Sequence, residues 1–313
     1  MLRSLSVAIC TVATLGLSLT AQTAKPLTLV QQVRAALNEK DLEKAEALVK
    51  TARAKQGNSP EALAALSWLA RGAQTQGLDD RAEAFAVEAQ RLGVAALAGR
   101  SADSDPNLTI AIGAGIEVQA LVGAARGERS GVIAFLEREL NTYRGTVLGK
   151  RIQKNINLLT LEGHPAPALE RGEYIGSAAP PSIADLKGKV VVVFFWAHWC
   201  PDCKAQGPVL ERMLTKYGSQ GLTVVAPTMR FGYVAGGKKA PPEEEMRYIV
   251  QIRDQFYPWM ADKPTPVSEA IHERYGVSTS PTLTIVDRQG IIRVYHPGQM
   301  TEAEIEAKIR GLL

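Results

Sequence analysis

The apolar positions of this chain follow one pattern before residue 160 and another after it. In the first part, apolar residues recur about every four positions, as they do over 29–37, which is typical of amphipathic helices. In the second part, short apolar runs such as 190–195 alternate with segments of helical spacing. The pattern predicts an all-α domain over 25–160 and an α/β domain with a mixed sheet flanked by helices over 163–313.

The helical part contains a self-similar unit. The segment Asp41–Ala47 resembles Leu78–Ala84, and Ala45 and Ala82 lie 37 positions apart. This interval is close to the period of tetratricopeptide-type helical hairpins, so the region resembles such repeats. Only two units are visible, whereas solenoids generally need three. A partner-docking or dimerisation arm and a plain helical spacer therefore both stay open.

Local signals place several helices in this part. Ser59 is a predicted N-cap with Pro60 at the first helical position. A loop at 101–106 precedes two further predicted helices, one over 108–125 and one over 131–159. No side chain in the helical part suggests catalysis.

Proline and glycine at 162–167 end the helical pattern and form the predicted linker. Beyond the linker, the expected order β-α-β-α-β-β-α follows a small hairpin over 168–175. The predicted strands are 190–195, 222–227, 282–287 and 291–295, and the predicted helices are 200–217, 243–256, 266–275 and a last one that begins with a capping box at Thr301 and Glu304.

Composition places the chain among ordinary globular proteins. It has 313 residues, of which 46% are hydrophobic and 22% charged, and a formal net charge of +4 without a basic block. This length allows two domains with separate cores. Nucleic-acid binding is disfavoured because it requires a concentrated basic face.

The first 21 residues have the pattern of a secretory signal peptide. Arg3 supplies the positive charge, 5–19 is apolar, and cleavage is expected after Ala21. The second possibility is an uncleaved anchor. Cys10 lies within the apolar stretch and is interpreted as a filler. The protein is therefore expected to be exported, periplasmic or extracytoplasmic and membrane-associated.

Removal of the signal would leave two of the three cysteines, Cys200 and Cys203. A disulfide over so short a loop adds little to stability, which leaves redox chemistry or half of a metal site. The four histidines show no paired ligand spacing. Redox chemistry is thus favoured, and we expect no bound metal and no cofactor.

The two cysteines lie between an apolar strand and a helix, in the segment 196–203 (Trp-Ala-His-Trp-Cys-Pro-Asp-Cys). A helix N-terminus offers unpaired amides and a positive dipole end to the first sulfur, which lowers its pKa. Cys200 is therefore predicted to be the partly exposed nucleophile and Cys203 the resolving thiol.

Four neighbours are candidates for shaping the site. Trp199 is predicted to form an apolar surface that contacts partners, and Pro201 to rigidify the first helical turn. Asp202 either tunes the redox pair or only caps the helix. His198 either lowers the pKa of Cys200 or is a solvated loop residue, and the solvated interpretation is favoured. Trp196 is assigned to the core.

This arrangement resembles the thioredoxin fold over about 163–313, and most closely its exported TlpA/ResA-type branch. The residues that carry the resemblance are the motif 196–203, Gly188–Lys189 before the strand, Ala166–Pro167 at the start, Pro208 as the helix-kink proline and the segment 276–283. The resemblance implies that Pro281 is cis and that Ser280 and Pro281 form part of the substrate groove beside the disulfide.

Two positions depart from the family pattern. Phe194 stands where thioredoxins place a buried aspartate, and Gln206 stands where ResA-type proteins often carry a glutamate. Both family carboxylates are thought to move the proton of the buried thiol. The proton route is therefore open, with Asp202, His198 or water as candidates and Gln206 as a possible tuning residue.

A glycine- and proline-rich insertion over 229–242 follows the second strand of the α/β part. It is either a specificity loop or a solvated excursion, and the solvated interpretation is the simpler one.

The leading hypothesis is an exported thiol–disulfide oxidoreductase that acts as a reductase on protein disulfides and receives electrons from an upstream membrane or periplasmic donor. An oxidase or isomerase is possible within the same class. A peroxiredoxin is disfavoured because Ala197 and Val193 stand where its Thr or Ser and its Pro are needed. Two further hypotheses are a copper(I) metallochaperone that adds His198 or His296 to the thiolates, and a helical-repeat scaffold with an accessory redox domain.

Overall fold

The structure is a computed structural model that describes residues 26–169, 172–261 and 263–313. The predicted signal peptide at 1–21, with Cys10, lies outside the described residues. The helices of the first part are α1 (Leu29–Asn38), α2 (Leu42–Gln56), α3 (Pro60–Thr75), α4 (Asp79–Leu97), α5 (Pro106–Ala125), α6 (Arg129–Tyr143) and α7 (Val147–Thr160).

Helix α5 is the centre of the helical part. It packs against α3, α4, α6 and α7, and most of its apolar side chains are buried. By length and composition alone α5 could cross a membrane, but in this structure the neighbouring helices cover most of it. The Ser59 cap is confirmed, because its side chain accepts the amide of Ala62.

The single helix predicted over 131–159 is wrong. The chain forms α6 and α7 instead, separated at Arg144–Thr146. Gly145 has a φ of +80°, a backbone conformation that a helix cannot contain and that glycine adopts without strain. The break turns α7 back against α6 and towards the α/β part.

The second part contains the short strand β1 (Tyr174–Ile175), β2 (Val190–Phe195), α8 (Pro201–Tyr217), β3 (Leu222–Val225), α9 (Pro242–Phe256), β4 (Thr265–Pro266), α10 (Glu269–Arg274), β5 (Thr282–Val286), β6 (Ile292–Pro297) and α11 (Glu302–Ile309). The capping box of Thr301 and Glu304 at the start of α11 is confirmed. Pro208 lies inside α8.

The main sheet has the strand order β3-β2-β5-β6. Strand β2 pairs in parallel with β3 and antiparallel with β5, and β5 pairs antiparallel with β6. All six residues of β2 are buried, as expected for a central strand covered on both faces. Its alternate side chains enter two separate core clusters, one beneath α8 and one beside α10. The predicted mixed sheet flanked by helices, of thioredoxin-like class, is confirmed.

Two local predictions in this part are corrected. Strand β1 pairs with the distant strand β4, with Tyr174 opposite Pro266, and not with a neighbouring strand among the described residues of the hairpin predicted over 168–175. Residues 170–171 of that segment lie outside the described residues. The helix predicted over 266–275 begins only at Glu269, because Ser268 caps it by accepting the amide of Ile271. The domain limits 25–160 and 163–313 stay predictions.

Candidate active site

Cys200 and Cys203 lie at the junction of β2 and α8. Cys200 is the N-cap of α8, and its Sγ accepts the amide of Cys203 at 3.1 Å. Pro201 occupies the first helical turn. Both cysteines are free thiols. Cys203 is fully buried as expected, but Cys200 is only 2% exposed, so its predicted partial exposure is wrong. The loop that precedes β5 covers its sulfur.

The two thiols have opposite acidity. Hydrogen bonds from the side chain and the amide of Cys203 lower the pKa of Cys200 to about 7, although burial and the charge of Asp202 act against this. Burial, and then the interaction with Cys200, raise the pKa of Cys203 far above its usual range. At neutral pH, Cys200 is therefore about half thiolate, whereas Cys203 keeps its proton.

The loop before β5 lies directly against Cys200. The peptide bond between Ser280 and Pro281 is cis, as the resemblance implied. The Cys200 thiol donates to the carbonyl of Ser280 at 3.4 Å. Antiparallel pairing causes this proximity, because Phe195 at the end of β2 is the partner of Thr282 at the start of β5. The structure therefore brings two segments 80 positions apart to one place.

The remaining predicted neighbours have different environments. Trp199 is 45% exposed, while Trp196 at the start of the motif is fully buried. Asp202 is exposed, and its carbonyl accepts the side-chain amide of Gln299 at 2.9 Å. Gln206 is buried and uses both ends of its amide on the backbone of Met300, at 2.9 and 3.0 Å. Its hydrogen bonds thus tie α8 to the segment before α11 rather than to a sulfur.

The favoured interpretation of His198 as a solvated loop residue is wrong. The residue is fully buried, and its Nε2 lies 3.2 Å from Oε1 of Glu245, which is also buried. The rings of Phe231, Tyr233 and Tyr248 surround the imidazole in edge-to-face contacts. Burial lowers the pKa of His198, and Glu245 opposes the shift. Within the motif, His198 is therefore a buried structural residue that faces Glu245.

Glu245 anchors the start of the insertion at 229–242, whereas its residues 235–239 are exposed, as the solvated interpretation expected. The Glu245 carboxylate accepts the backbone amides of Phe231 and Gly232. The Phe231 ring packs edge-to-face on Trp199, with the centroids 5.6 Å apart. The insertion is thus fastened to the cysteine motif. Glu245 was missed because it lies in an acidic run, Glu243–Glu245, that looks like a solvated helix face.

Tyr257 is a second residue that the sequence did not reveal. Its ring is buried against Phe194 and Trp196. A Cβ on Gly207 would lie 2.7 Å from this ring, so the glycine makes room for it one turn after Cys203, on the same helix face. Burial, and then the charges of the two cysteines, raise the pKa of Tyr257. No group in the described ranges hydrogen-bonds its hydroxyl.

The histidines named for a copper site point to different partners. His198 faces Glu245, and Nε2 of His296 lies 3.0 Å from the carbonyl of Gln299. Within residues 26–169, 172–261 and 263–313, no group of three or more His, Cys, Asp or Glu side chains is arranged to hold a metal ion.

Comparisons with known proteins give matches over the α/β part. A family model described as the AhpC/TSA family matches residues 163–295. The thioredoxin-like protein YneN of Bacillus subtilis is 32% identical over 148 residues, which are 47% of this chain and 78% of that protein. The thiol-disulfide oxidoreductase ResA of Halalkalibacterium halodurans is 28% identical over 40% of this chain and 62% of that protein. The thiol:disulfide interchange protein DsbE of Xylella fastidiosa is 26% identical over 49% of this chain and 70% of that protein.

These matches support the predicted family of the α/β part but not that of the helical part. The tetratricopeptide-like character of the helical part is not confirmed and stays a prediction. For the α/β part, the similarity to the thioredoxin-like protein YneN extends over 78% of that protein. Through its C-terminal half, the chain belongs to the thioredoxin-like family of thiol-disulfide oxidoreductases.

Proposed function

We propose that this protein is an exported reductase of protein disulfides that works through Cys200 and Cys203. The observation that carries the proposal is the chemical asymmetry of the pair. Cys200 has a pKa of about 7 at the start of α8, while burial keeps Cys203 protonated. This is the difference that an attacking and a resolving thiol require. The names of two relatives support the same class of reaction: ResA is named a thiol-disulfide oxidoreductase, and DsbE a thiol:disulfide interchange protein.

The proposed reaction has two displacements. The Cys200 thiolate attacks one sulfur of the partner's disulfide, which forms a mixed disulfide and releases the other partner sulfur as a thiolate. Cys203 then loses its proton and attacks the Cys200 sulfur, which forms the Cys200–Cys203 disulfide and releases the second partner thiolate. The partner gains two electrons and ends as two thiols, and the cysteine pair is oxidised.

The second displacement needs a negative charge on a buried sulfur. Phe194 and Gln206 occupy the two positions at which the related families carry a carboxylate, and the Gln206 side chain is hydrogen-bonded to the backbone of Met300. We assign the supporting role to the Tyr257 hydroxyl, which is buried without a partner among the described residues, on a ring that packs against α8 at Gly207 and interacts electrostatically with Cys203. As a donor to the forming Cys203 thiolate, it lowers the cost of burying that charge.

Export and the direction of electron flow belong to the same proposal. The signal-like sequence at 1–21 supports export. A cysteine pKa of about 7 is similar to that of thioredoxin, which is a reductant, and lies well above the value of strong oxidants. An upstream electron donor outside the cytoplasm would return the pair to the dithiol form.

Trapping of the mixed disulfide tests the proposal. The reduced protein should reduce insulin disulfides. Cys203→Ser should accumulate a covalent complex with the substrate, because the attacking thiol remains and the resolving thiol is gone. Cys200→Ser should form no such complex. Non-reducing gels separate the covalent complex from the free protein, and mass spectrometry identifies each. Trapping by Cys200→Ser alone would reverse the assigned roles, and absence of insulin reduction by the wild type would overturn the reductase.

A further inference from the structure

A basic cavity lies between the helical part and the loop that carries Pro281. Its volume is about 610 Å³, and its walls come from α3, α5, α7 and the loop. The residues that matter for its chemistry are Trp68, Arg71, Glu117, Arg151, Lys154 and Thr279. Neither half of the chain forms this cavity alone.

Positive charge exceeds negative charge in the cavity. Glu117 is the acidic residue of its lining, and it is paired with Arg71 at 3.2 Å and more closely with Arg151 and Lys154. Burial would raise the pKa of Glu117, but Arg151 and Lys154 lower it to about 2, so it is ionised. One carboxylate therefore faces three cations, and the lining carries two positive charges in excess.

The cations also crowd one another. The guanidinium groups of Arg34 and Arg71 lie over the ring of Trp68, 4.5 and 4.8 Å from its centroid. Burial, and then repulsion from Arg151, lower the pKa of Arg71. An anion in the cavity would relieve this repulsion and gain charge-assisted hydrogen bonds from several donors at once.

The cavity adjoins the redox site through one loop. Thr279 lines the cavity, and the next residue, Ser280, accepts the Cys200 thiol at 3.4 Å. An extended chain advances about 3.3–3.6 Å per residue. A peptide joined to Cys200 by a disulfide therefore reaches the cavity with residues a few positions from its own cysteine.

We propose that this cavity binds an acidic side chain of the disulfide-bonded protein partner, a few residues from its reacting cysteine. The inference rests on the proposed function and names a substrate class for it. The helical part then supplies one wall of the substrate groove and selects partners that carry Asp or Glu near the disulfide. The positive charges of Arg71 and Lys154 provide the selection.

The test uses the reduced full chain and three peptides with one cysteine each, activated as the 2-thiopyridyl disulfide. The peptides carry Glu, Gln or Lys a few positions from the cysteine on either side, and the released thiopyridone is followed by absorbance. The Glu peptide should be reduced roughly tenfold faster than the Gln peptide, and the Lys peptide more slowly than both, by electrostatic complementarity. The Glu-to-Gln rate ratio should fall towards one in Arg71→Gln and in Lys154→Gln.

Arg81→Gln is the matched control, because Arg81 is also an ion-paired arginine of the helical part but lies on α4 outside the cavity. It should keep the rate ratio of the wild type, and Arg71→Lys should keep most of it. Equal rates for the Glu and Gln peptides, or an undiminished ratio in Arg71→Gln and Lys154→Gln, would overturn the acidic subsite while the oxidoreductase stands. Failure to reduce any of the peptides would instead overturn the proposed function.

Discussion

At the scale of single residues, position on the helix separates two chemically identical side chains. Cys200 precedes the first turn of α8 and receives the amide of Cys203 on its sulfur. Cys203 lies one turn further, enclosed by the core. The sequence motif suffices to predict this difference, because the helix N-terminus follows from the spacing. The resemblance placed Ser280 beside the pair, but it did not show that the Ser280 carbonyl, 80 positions away, lies close enough to cover the Cys200 sulfur.

The acidity of the pair gives a pH-dependent reaction with iodoacetamide. Alkylation follows the thiolate fraction, so Cys200 in the reduced protein should react with a half-maximal rate near its pKa of about 7. Cys203 should stay unmodified in that range, and mass spectrometry of peptides distinguishes the two. Asp202→Asn should move the midpoint to lower pH, because the charge of Asp202 raises the pKa of Cys200.

Cys200→Ser is the control for this profile and should show no alkylation near neutral pH. A midpoint close to that of an ordinary cysteine, about 8.5, would contradict the assigned environment. Faster modification of Cys203 than of Cys200 would do so as well.

At the scale of elements, Glu245 joins three pieces of the α/β part. It lies in the first turn of α9, holds two amides of the insertion at 229–242, and faces His198 in the cysteine motif. The insertion is therefore held in place against the motif, with Phe231 beside Trp199.

Loss of this carboxylate should free the insertion. Glu245→Ala leaves two backbone amides without an acceptor, which should lower the free energy of unfolding by about 2–4 kcal/mol. Hydrogen exchange of the amides at 231–240 should become faster. Glu243→Ala is the matched control, because Glu243 lies in the same helical turn but is exposed. Equal exchange in the two variants would show that Glu245 does not fasten the insertion.

Elements with local signals could be predicted, and those with distant partners could not. The strand β2, the helix α8 and the caps at Ser59 and Thr301 follow from apolar runs and capping residues within a few positions. The pairing of β1 with β4 depends on residues far apart in sequence. The burial of His198 likewise depends on Glu245, 47 positions away. Apolar spacing shows which face of an element is buried, but not what covers it.

At the scale of the whole molecule, α7 joins the helical part to the redox site. Gly276 begins the loop that carries Pro281, and its backbone lies directly on α7. Two further contacts join neighbouring elements: Lys150 of α7 pairs with Glu269 of α10, and the amide of Tyr295 in β6 donates to Glu162 just after α7. The helical part is therefore in contact with the loop that covers Cys200.

This contact can be tested by adding one methyl group. In Gly276→Ala the new Cβ would lie 2.7 Å from the amide nitrogen of Lys154, and the φ of +60° is already unfavourable for alanine. The free energy of unfolding, measured in urea, should fall by about 2–4 kcal/mol. Gly127→Ala is the control, because Gly127 also has a positive φ, +83°, but an added Cβ meets nothing within 4 Å. The Gly127→Ala substitution should lower the free energy of unfolding by about 1 kcal/mol. An equal loss of unfolding free energy in the two variants would show that Gly276 is not closely packed against α7.

The most direct test of the redox assignment is a titration of the purified mature protein. Equilibration in graded dithiothreitol or glutathione buffers, followed by thiol trapping and mass measurement, should show a reversible transition of two electrons between the Cys200–Cys203 dithiol and its disulfide. For a reductase we expect a midpoint more negative than about −200 mV. A pair that forms no disulfide across this range, or that only adds one glutathione to Cys200, would contradict the assignment.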